Sequence, residues 1–573
     1  MAVVKKKVVK KKIKPVSMGA AAGAKIEQSP YRPRYVEKRP PCTGKCPSAV
    51  RVREYLQYIA TSEKYNRTIE ESMEVAFDIV TETNPIPAST GRVCPHGCET
   101  TCNRKDKDEP ININACEMFI GDYALDKKLK LKKVSDIGAN KRVAVVGGGP
   151  SGLSAAYQLV RQGFNVTIYE KNEKLGGLLY YGIPNFRLPK KVIEGEIQRL
   201  VDLGIDVKNN TCVGKDISID ELKSNFDAIY LATGAYKIDK PKLENIDKLK
   251  GIYSGIEFLE RFAKGENVEV GNKVIVIGAD TAADAAMVCR RLGAEVVFAY
   301  RRTIPNYDSF KKTASREALE AYEEDITFQF ATIPVELKEE DGKLKGVYFR
   351  KIVVDEIDER GHAKKYHIVE DEDPFFVEAD TLIYSVGQKV DLSLFEHILK
   401  LNNEGFVEHR DLFIDDNILV GGDLIGPKNM LVTVANSHGI LAADKIMFKL
   451  TGQNFMKPDD RRVIESKDMY LDFFEKKEQK KRRYRDPADR IKDFEPYLIG
   501  LTFDEFIYET KRCMSCGLCF VCENCYLYCT PQAFKKIPDQ APGKPFKIAL
   551  ELCDGCKKCA EVCPCGYIDM VLY

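Results

Sequence analysis

Cysteine spacing carries the most specific chemistry in the sequence. Near the end, Cys519-x2-Cys522-x2-Cys525-x3-Cys529 is followed by Cys553-x2-Cys556-x2-Cys559-x3-Cys563-Pro564. In that pattern three cysteines of one run and the fourth of the other hold each of two [4Fe–4S] clusters. The first run ends Cys529-Thr530-Pro531, a small departure from Cys-Pro. A second set stands near the start: Cys42-x3-Cys46-Pro47, Cys94-x3-Cys98-x3-Cys102 and Cys116-Glu117. Six cysteines within 75 residues, without the pairing of a hairpin staple, read as iron–sulfur ligands. Zinc is the alternative, although x3 spacings differ from paired x2 knuckles. A further pair, Cys513-x2-Cys516, belongs to neither set.

The other chemistry is nucleotide binding. Val143-Ala-Val-Val146 reads as a buried strand, and Gly147-x-Gly149-Pro150-Ser151-Gly152 follows at once, opening a helix. The first glycine allows a tight turn, the second lets a pyrophosphate approach the backbone, and the third lets helix and strand pack closely. Phosphates would face the helix N-terminus. The next strand ends at Glu170, eighteen residues past Gly152, where a ribose hydroxyl would be held. Ala228-Ile-Tyr-Leu-Ala232-Thr233-Gly234 is a strand ending in small residues, suited to a backbone passing close to a ligand. A second unit starts at Lys273-Val-Ile-Val-Ile-Gly278-Ala-Asp280-Thr281-Ala282. Its next strand ends in Arg301-Arg302, a basic pair that a 2′-phosphate would favour; an exposed pair without a ligand is the alternative.

Positioning these groups takes several domains, which 573 residues allow. The pattern predicts an α/β protein. Two Rossmann-like nucleotide-binding domains follow an N-terminal helical iron–sulfur domain and precede a C-terminal α+β ferredoxin-like domain. The expected boundaries are a disordered basic tail over 1–35, a helical iron–sulfur domain over 36–138, and a first nucleotide-binding domain over 139–255 and 378–452. A second nucleotide-binding domain over 256–377, a helical surface linker over 453–510 and a two-cluster ferredoxin domain over 511–573 complete the chain. The Lys triplets at 5–7 and 10–12 read as a solvated tail, with docking to an acidic partner as the sharper alternative. No folded basic surface accompanies them, so nucleic acid is not an expected partner. No run of eighteen apolar residues predicts a membrane span, and the start lacks the apolar core of a signal peptide. Net charge, at +2, argues neither for nor against any partner. Nineteen cysteines in metal-type spacings fit a reducing interior, and the cytoplasm of an anaerobe or facultative anaerobe is expected.

Gly147–Gly152, the loop 176–184, Ala232-Thr233-Gly234, Asp280-Thr281-Ala282 with Tyr300-Arg301-Arg302, and Gly422-Asp423 together resemble the glutamate synthase small-subunit family. So does Gly91-Arg-Val-Cys94-Pro-His-Gly-Cys98 with Pro110-Ile-Asn-Ile113. The resemblance covers roughly residues 40–450. The same module occurs in dihydropyrimidine dehydrogenase and in the NADPH subunit of the bifurcating transhydrogenase. With its appended ferredoxin segment and the phrase Tyr35-Val-Glu-Lys-Arg-Pro-Pro-Cys42, the chain resembles iron–sulfur flavoproteins of the DsrL type and the flavin subunit of phenylglyoxylate dehydrogenase. The resemblance implies that the two nucleotide domains are of disulfide-reductase type, the first binding FAD and the second NADPH or NADH, with N-terminal clusters passing electrons onward. Carried over by position, Glu170 holds the FAD ribose, and Lys171, Gly177, Leu178 and Ile183 are further cofactor-binding candidates. Asp423, beside Gly422 and before Thr433, meets the ribityl or pyrophosphate region, while Arg301 and Arg302 meet a 2′-phosphate.

Two departures stand out. The family reads Gly-x-Gly-Asp-Thr-Ala where this chain has Ile277-Gly278-Ala279-Asp280-Thr281-Ala282, so either the turn is one residue shorter or two glycine positions are substituted. The family's first cysteine run also begins with an extra Cys-x2-Cys that is missing here, and Cys513-x2-Cys516 has that spacing. The expectation is that Cys513 and Cys516 complete an N-terminal cluster with Cys42 and Cys102. A second cluster would use Cys46, Cys94 and Cys98 with Glu117, a position that carries a side-chain oxygen ligand in the dihydropyrimidine dehydrogenase relative; Cys116 is the alternative fourth ligand. A single N-terminal cluster with an inert 513/516 pair is the rival arrangement. Cys116, Cys212, Cys289 and Cys565 are left as ordinary thiols, and Cys212 and Cys289 as core thiols.

The function these signals predict is an NAD(P)H:acceptor oxidoreductase subunit that passes electrons through FAD and several [4Fe–4S] clusters to a partner, or the reverse. Direct hydride transfer needs no acid–base side chain, so no catalytic residue is nominated. An electron-transfer wiring subunit without its own pyridine-nucleotide activity is one alternative, spoken for by the altered 277–282 turn. A flavin-based bifurcating subunit is the other. The partner would be a sulfite-reductase-type enzyme, a 2-oxoacid oxidoreductase or ferredoxin; the sequence leaves oligomeric state open.

Overall fold

Val143–Val146 form the middle of a parallel sheet because both faces are covered: Val143, Ala144 and Val145 are fully buried. The structure, a computed structural model, describes residues 29–301, 315–357, 363–426 and 430–573. In the first sheet the strand order is Phe413–Asp415, Ile418–Val420, Ala228–Leu231, Arg142–Val146, Asn165–Tyr169, Asp206–Lys208. All neighbours are parallel except the edge hairpin of the first two strands. The second sheet, parallel throughout, runs Thr327–Phe330, Glu295–Tyr300, Lys273–Gly278, Thr381–Ser385, Ile252–Ser254. An antiparallel layer of Thr332–Glu340, Lys343–Ile357, Ala363–Ile368 and Phe375–Glu378 adjoins it.

The chain leaves the first sheet and returns to it through a two-stranded ribbon, Lys237–Ile238 against Gln388–Lys389. The second unit is therefore inserted within the first. The structure departs from the expected 256–377 limits, because Ile252–Ser254 and Thr381–Ser385 pair in the second sheet. The buried Leu382 and Ile383 find their apolar neighbours there.

The N-terminal helices Val52–Ala60, Ile69–Thr81, Pro87–Val93 and Ile113–Asp126 share one core with the first sheet: Tyr55, Phe77 and Ile120 join the cluster that holds Val145 and Tyr157. Polar groups pin the seam. The buried Glu196 carboxylate accepts from the backbone N–H groups of Ala88 (2.7 Å) and Ser89 (2.9 Å), satisfying the free start of Pro87–Val93. The Tyr157 hydroxyl donates to the Thr81 carbonyl at 2.7 Å.

The two ends of the chain meet. Residues 31–35, expected as part of a disordered tail, form the strand Tyr31–Tyr35, antiparallel to Ile568–Leu572. Residues 1–28, with both Lys triplets, lie outside the described residues. Lys38, 2% exposed, donates to the Gly566 carbonyl (2.5 Å) and the Asp569 carboxylate (2.7 Å).

The 453–510 stretch, expected as a helical linker, is mostly extended, with Pro487–Arg490 and the start of Phe503–Arg512 as its α-helical parts. Its backbone donors go to acidic side chains instead of to a helix ladder: Lys477 N–H to Asp108 (2.9 Å), Gln479 N–H to Glu109 (2.8 Å) and Lys480 N–H to Glu509 (2.6 Å). It is a strap over the iron–sulfur region. Among the described residues no helix is long and apolar enough to cross a membrane.

Candidate functional site

The first glycine turn is sterically compelled. Gly147 has φ +103°, and a Cβ on Gly152 would lie 1.9 Å from the Gly147 carbonyl oxygen. Gly152 thus lies under the turn, while Gly147, Gly149, Pro150 and Ser151 line a cleft of about 650 Å³. The helix Pro150–Arg161 starts there, with its N-terminus towards the cleft. The Glu170 carboxylate lies beside the turn, accepting from the N–H groups of Gly148 (2.9 Å) and Asn172 (2.9 Å). Burial pushes its carboxyl up, and those amides oppose the shift. Lys171 lies over the Tyr236 ring at 4.5 Å. Gly177, Leu178, Ile183, Ala232, Thr233, Gly234 and Gly422 share the cleft wall. Asp423 stands there too, with burial alone pushing its carboxyl up to about 6.

The second turn is one residue shorter than the first. Gly278 ends its strand with φ +150°, and the helix Asp280–Arg291 begins after the single N-cap residue Ala279. In the first unit the N-cap Gly149 stands three residues past Val146; here Ala279 stands two past Ile277. A Cβ at Gly278 would lie 2.5 Å from the Ser385 carbonyl oxygen, which explains why this glycine is kept. Asp280 and Thr281 line the same cleft as the first turn; Gly278 and Ala282 lie behind it. Arg301 is exposed at its strand end, 5.7 Å from the Tyr366 ring, and Arg302 lies outside the described residues.

Several cleft residues escaped sequence reasoning because distant segments bring them in. Arg187 crosses between the two nucleotide units: Nη1 donates to both Asp284 oxygens (2.8 and 2.6 Å), and Nη2 to Glu317. All three line the cleft. Tyr236 and Cys212 line it as well; Cys212, expected in the core, is half-buried, whereas Cys289 is fully buried. Val93 and Pro95, on either side of Cys94, close one wall. Thr433 lies off the cleft, where its carbonyl accepts from Ser48 (3.0 Å).

The thiols fall into groups. Around Cys46, Cys94 and Cys98 stands Glu117, whose Oε1 accepts from Asn84 (2.6 Å) and Thr90 (2.6 Å). No hydrogen bond among the described residues reaches its Oε2. Burial pushes the Cys46 thiol up to about 11, opposed by the backbone at Val50, Ser48 and Ala49 and reinforced by Glu117. Cys94 is pushed up to about 12 by burial, with Glu117 and Cys46 adding to it. Cys116 is fully buried and faces Glu509, Glu99 and Cys513 rather than this group. Near the C-terminus, Cys519, Cys522, Cys525 and Cys563 line one small hollow. Cys553, Cys556 and Cys529 are the charges that, after burial, raise the Cys559 thiol to about 12. Backbone N–H groups point at the sulfurs: Val521 to Cys519 (3.3 Å), Ala533 to Cys529 (3.2 Å), Gly555 to Cys553 (3.4 Å) and Tyr567 to Cys563 (3.2 Å). Such donors stabilise cluster-bound thiolates. Cys565, outside the sets, has its sulfur 3.8 Å from that of Cys563. Cys42, Cys102, Cys513 and Cys516 line another hollow. Among the described residues no three His, Cys, Asp or Glu side chains close around a single-ion position.

Comparison with known proteins decides the family. Residues 141–439 match the family model described as pyridine nucleotide-disulphide oxidoreductase. The chain belongs to that family. Residues 27–129 match the model described as dihydropyrimidine dehydrogenase domain II, 4Fe-4S cluster, which settles iron–sulfur over zinc for the N-terminal set. The oxidoreductase is 30% identical over 531 residues to the NADPH-Fe(3+) oxidoreductase subunit beta of Geobacter sulfurreducens, covering 84% of this chain and 76% of that one. It is 32% identical over 432 residues to the glutamate synthase [NADPH] small chain of Escherichia coli, covering 71% and 88%. It is 26% identical over 533 residues to the NADP(+)-dependent formate dehydrogenase subunit beta of Moorella thermoacetica, covering 87% and 73%. The glutamate synthase small-chain resemblance thus holds along most of the chain, and FAD, NAD(P)H and [4Fe–4S] clusters are the cofactors of this family architecture.

Proposed function

We propose that this chain is the pyridine-nucleotide-handling subunit of an NAD(P)H:acceptor oxidoreductase complex. One observation carries the reading: both nucleotide turns open on a single cleft, and the wall that closes it, Val93 and Pro95, flanks Cys94. The donor set fits FAD at the first turn. The helix start at Pro150 suits the pyrophosphate, Glu170 stands at the ribose position, and Asp423 offers a carboxylate that no hydrogen-bond donor among the described residues satisfies. The second turn, with Asp280 and Thr281, would hold the pyridine nucleotide, and Arg301 its 2′-phosphate.

When bound, FAD supplies the adaptor chemistry between a hydride pair and single electrons. The chain's own residues orient and insulate. The Arg187–Asp284–Glu317 contact fixes the inserted unit against the first. Leu178, Leu179 and Val432 give the cleft apolar walls that exclude water. Cys46, Cys94, Cys98 and Glu117 would hold the iron–sulfur group beside the flavin, where Val93 and Pro95 on either side of Cys94 close the cleft. The C-terminal segment would be a two-cluster ferredoxin-like domain, held by Cys519, Cys522, Cys525 and Cys563, and by Cys553, Cys556, Cys559 and Cys529. Cys556 is exposed, which puts the second of these groups at the surface where a partner docks.

The chain's relatives are named as subunits, and a redox partner protein is the acceptor we propose. Cysteines in cluster-type spacings favour a reducing compartment, and the cytoplasm is the one we propose. The short turn at 278–282 is what favours a second reading, a wiring subunit without nucleotide activity. Steady-state dye reduction separates the two: with NADPH or NADH and a one-electron dye the oxidoreductase turns over, and no dye reduction with either nucleotide would contradict it.

A further inference from the structure

Cys42, Cys102, Cys513 and Cys516 come from three separate stretches of chain and border one buried hollow. Cys42 lies in the short helix Pro41–Lys45, Cys102 immediately precedes the turn Asn103–Asp106, and Cys513 ends the helix Phe503–Arg512. Specific bonds bring the stretches together. Arg53, 1% exposed, donates to the carbonyls of Lys38 (2.9 Å) and Cys516 (3.0 Å). Gln57 donates to the Cys513 carbonyl at 2.9 Å. Arg104 donates to the Arg512 carbonyl at 2.7 Å, and the fully buried Arg512 is held in turn by Glu509 (2.9 Å) and Asp108 (3.0 Å). Fixing so many buried charges is more than is needed to seat an inert pair of thiols.

The hollow has the makings of a ligand site. Val52, Leu56, Ile111 and Ile113 give it an apolar wall. The Arg53 and Arg104 guanidinium groups also border it, and the Arg53 Nε has no hydrogen-bond partner. Four thiols lining one small hollow would be a poor core as free groups. As thiolates around a metal cluster they would lie beside Arg53 and Arg104, whose charges are shared with Glu37, Glu54 and Asp108.

We infer that Cys42, Cys102, Cys513 and Cys516 hold one further [4Fe–4S] cluster, shared between the N-terminal region and the C-terminal segment. The inference rests on the reading of the chain as an iron–sulfur flavoprotein. The site lies between the other two ligand regions: Cys42 and Cys46 are one helical turn apart, as are Cys98 and Cys102, and two residues separate Cys516 from Cys519. The C-terminal segment is thus bound to the N-terminal helices by metal as well as by the strand Tyr31–Tyr35.

Iron and acid-labile sulfide, counted per flavin on the anaerobically purified full-length chain, test this. The expected count is about sixteen irons in the wild type and about twelve in Cys513→Ala/Cys516→Ala, with flavin content unchanged. The buried thiol variant Cys289→Ala should keep the wild-type count. A wild-type count of about twelve, or a double variant that keeps all its iron, overturns the inference. If the double variant does not fold, the wild-type count decides, supported by a dithionite-reduced EPR signal integrating to about four spins and overturned by about three. Bleaching of the flavin by NADPH is recorded on the same samples. Its loss counts against the proposed function; the iron count alone bears on the shared cluster.

Discussion

At the scale of single residues, the first glycine turn leaves the least freedom. Replacing Gly152 by Ala puts a methyl group 1.9 Å from the Gly147 carbonyl oxygen, with the Val145 side chain 3.1 Å away. The expected outcome is loss of bound FAD together with destabilisation of about 1–3 kcal/mol, read by flavin absorbance and by thermal unfolding. Asp423 gives a pH signature. Burial raises its carboxyl from the ordinary 3.8 to about 6, so in flavin-free protein the folded state prefers the neutral form. Stability contributed by that preference is present below about pH 4 and is lost as pH rises through about 6. Asp423→Asn should therefore melt higher than wild type at pH 7–8, with the gap closing as pH falls from 6 towards 4, and should bind FAD more weakly at neutral pH. An equal gap at every pH would show that the carboxylate is not desolvated. The glycines were legible in the sequence because a steric requirement leaves a residue type behind. Tyr236, Arg187 and Asp284 were not, because their role comes only from where other segments put them.

At the scale of elements, the inserted second unit is held to the first by a buried ion-pair contact beside Phe186, which packs in the second unit's core. Arg187 and Asp284 are 6% exposed or less, and Glu317 shares the guanidinium. Arg187→Met leaves the buried Asp284 without its ion-pair partner and Glu317 with only the longer Arg316 contact (3.8 Å). A loss of about 3–5 kcal/mol is expected in denaturant unfolding, because breaking a buried pair exposes the full desolvation penalty of what remains. The second prediction concerns the strand Tyr31–Tyr35. A chain starting at Glu37 leaves Ile568–Leu572 as an open edge. Proteolysis within 519–573 should then outpace cleavage elsewhere, and iron should be lost from that segment. Unchanged digestion would mean the C-terminal segment is stable without its borrowed strand. Neither the strand nor the strap was visible in the sequence. Tyr31–Tyr35 has its hydrogen-bond partner at the opposite end of the chain, where no local pattern reports it. The charge-rich 476–485 stretch reads as a helix face, but Asp108, Glu109 and Glu509 capture its backbone donors. The strand–turn–helix units, by contrast, announce themselves through buried apolar runs that end in glycine.

At the scale of the whole molecule, the paired nucleotide turns share one cleft, closed by residues next to Cys94. Cys98 and Cys102, Cys516 and Cys519, and Cys525 and Cys529 then step along the chain between the proposed ligand groups. Cysteine spacing made those groups legible; the fold added which groups are neighbours, and that both chain ends meet at one of them. This arrangement predicts a chain that takes in electrons in pairs at one end and delivers them singly at the other. The most direct test is an anaerobic titration with NADPH, followed in one cuvette at the flavin and iron–sulfur absorption bands. The account predicts that the flavin band falls first and that the iron–sulfur band falls as more NADPH is added. If dithionite bleaches both bands while neither moves with NADPH or NADH, the central claim is wrong.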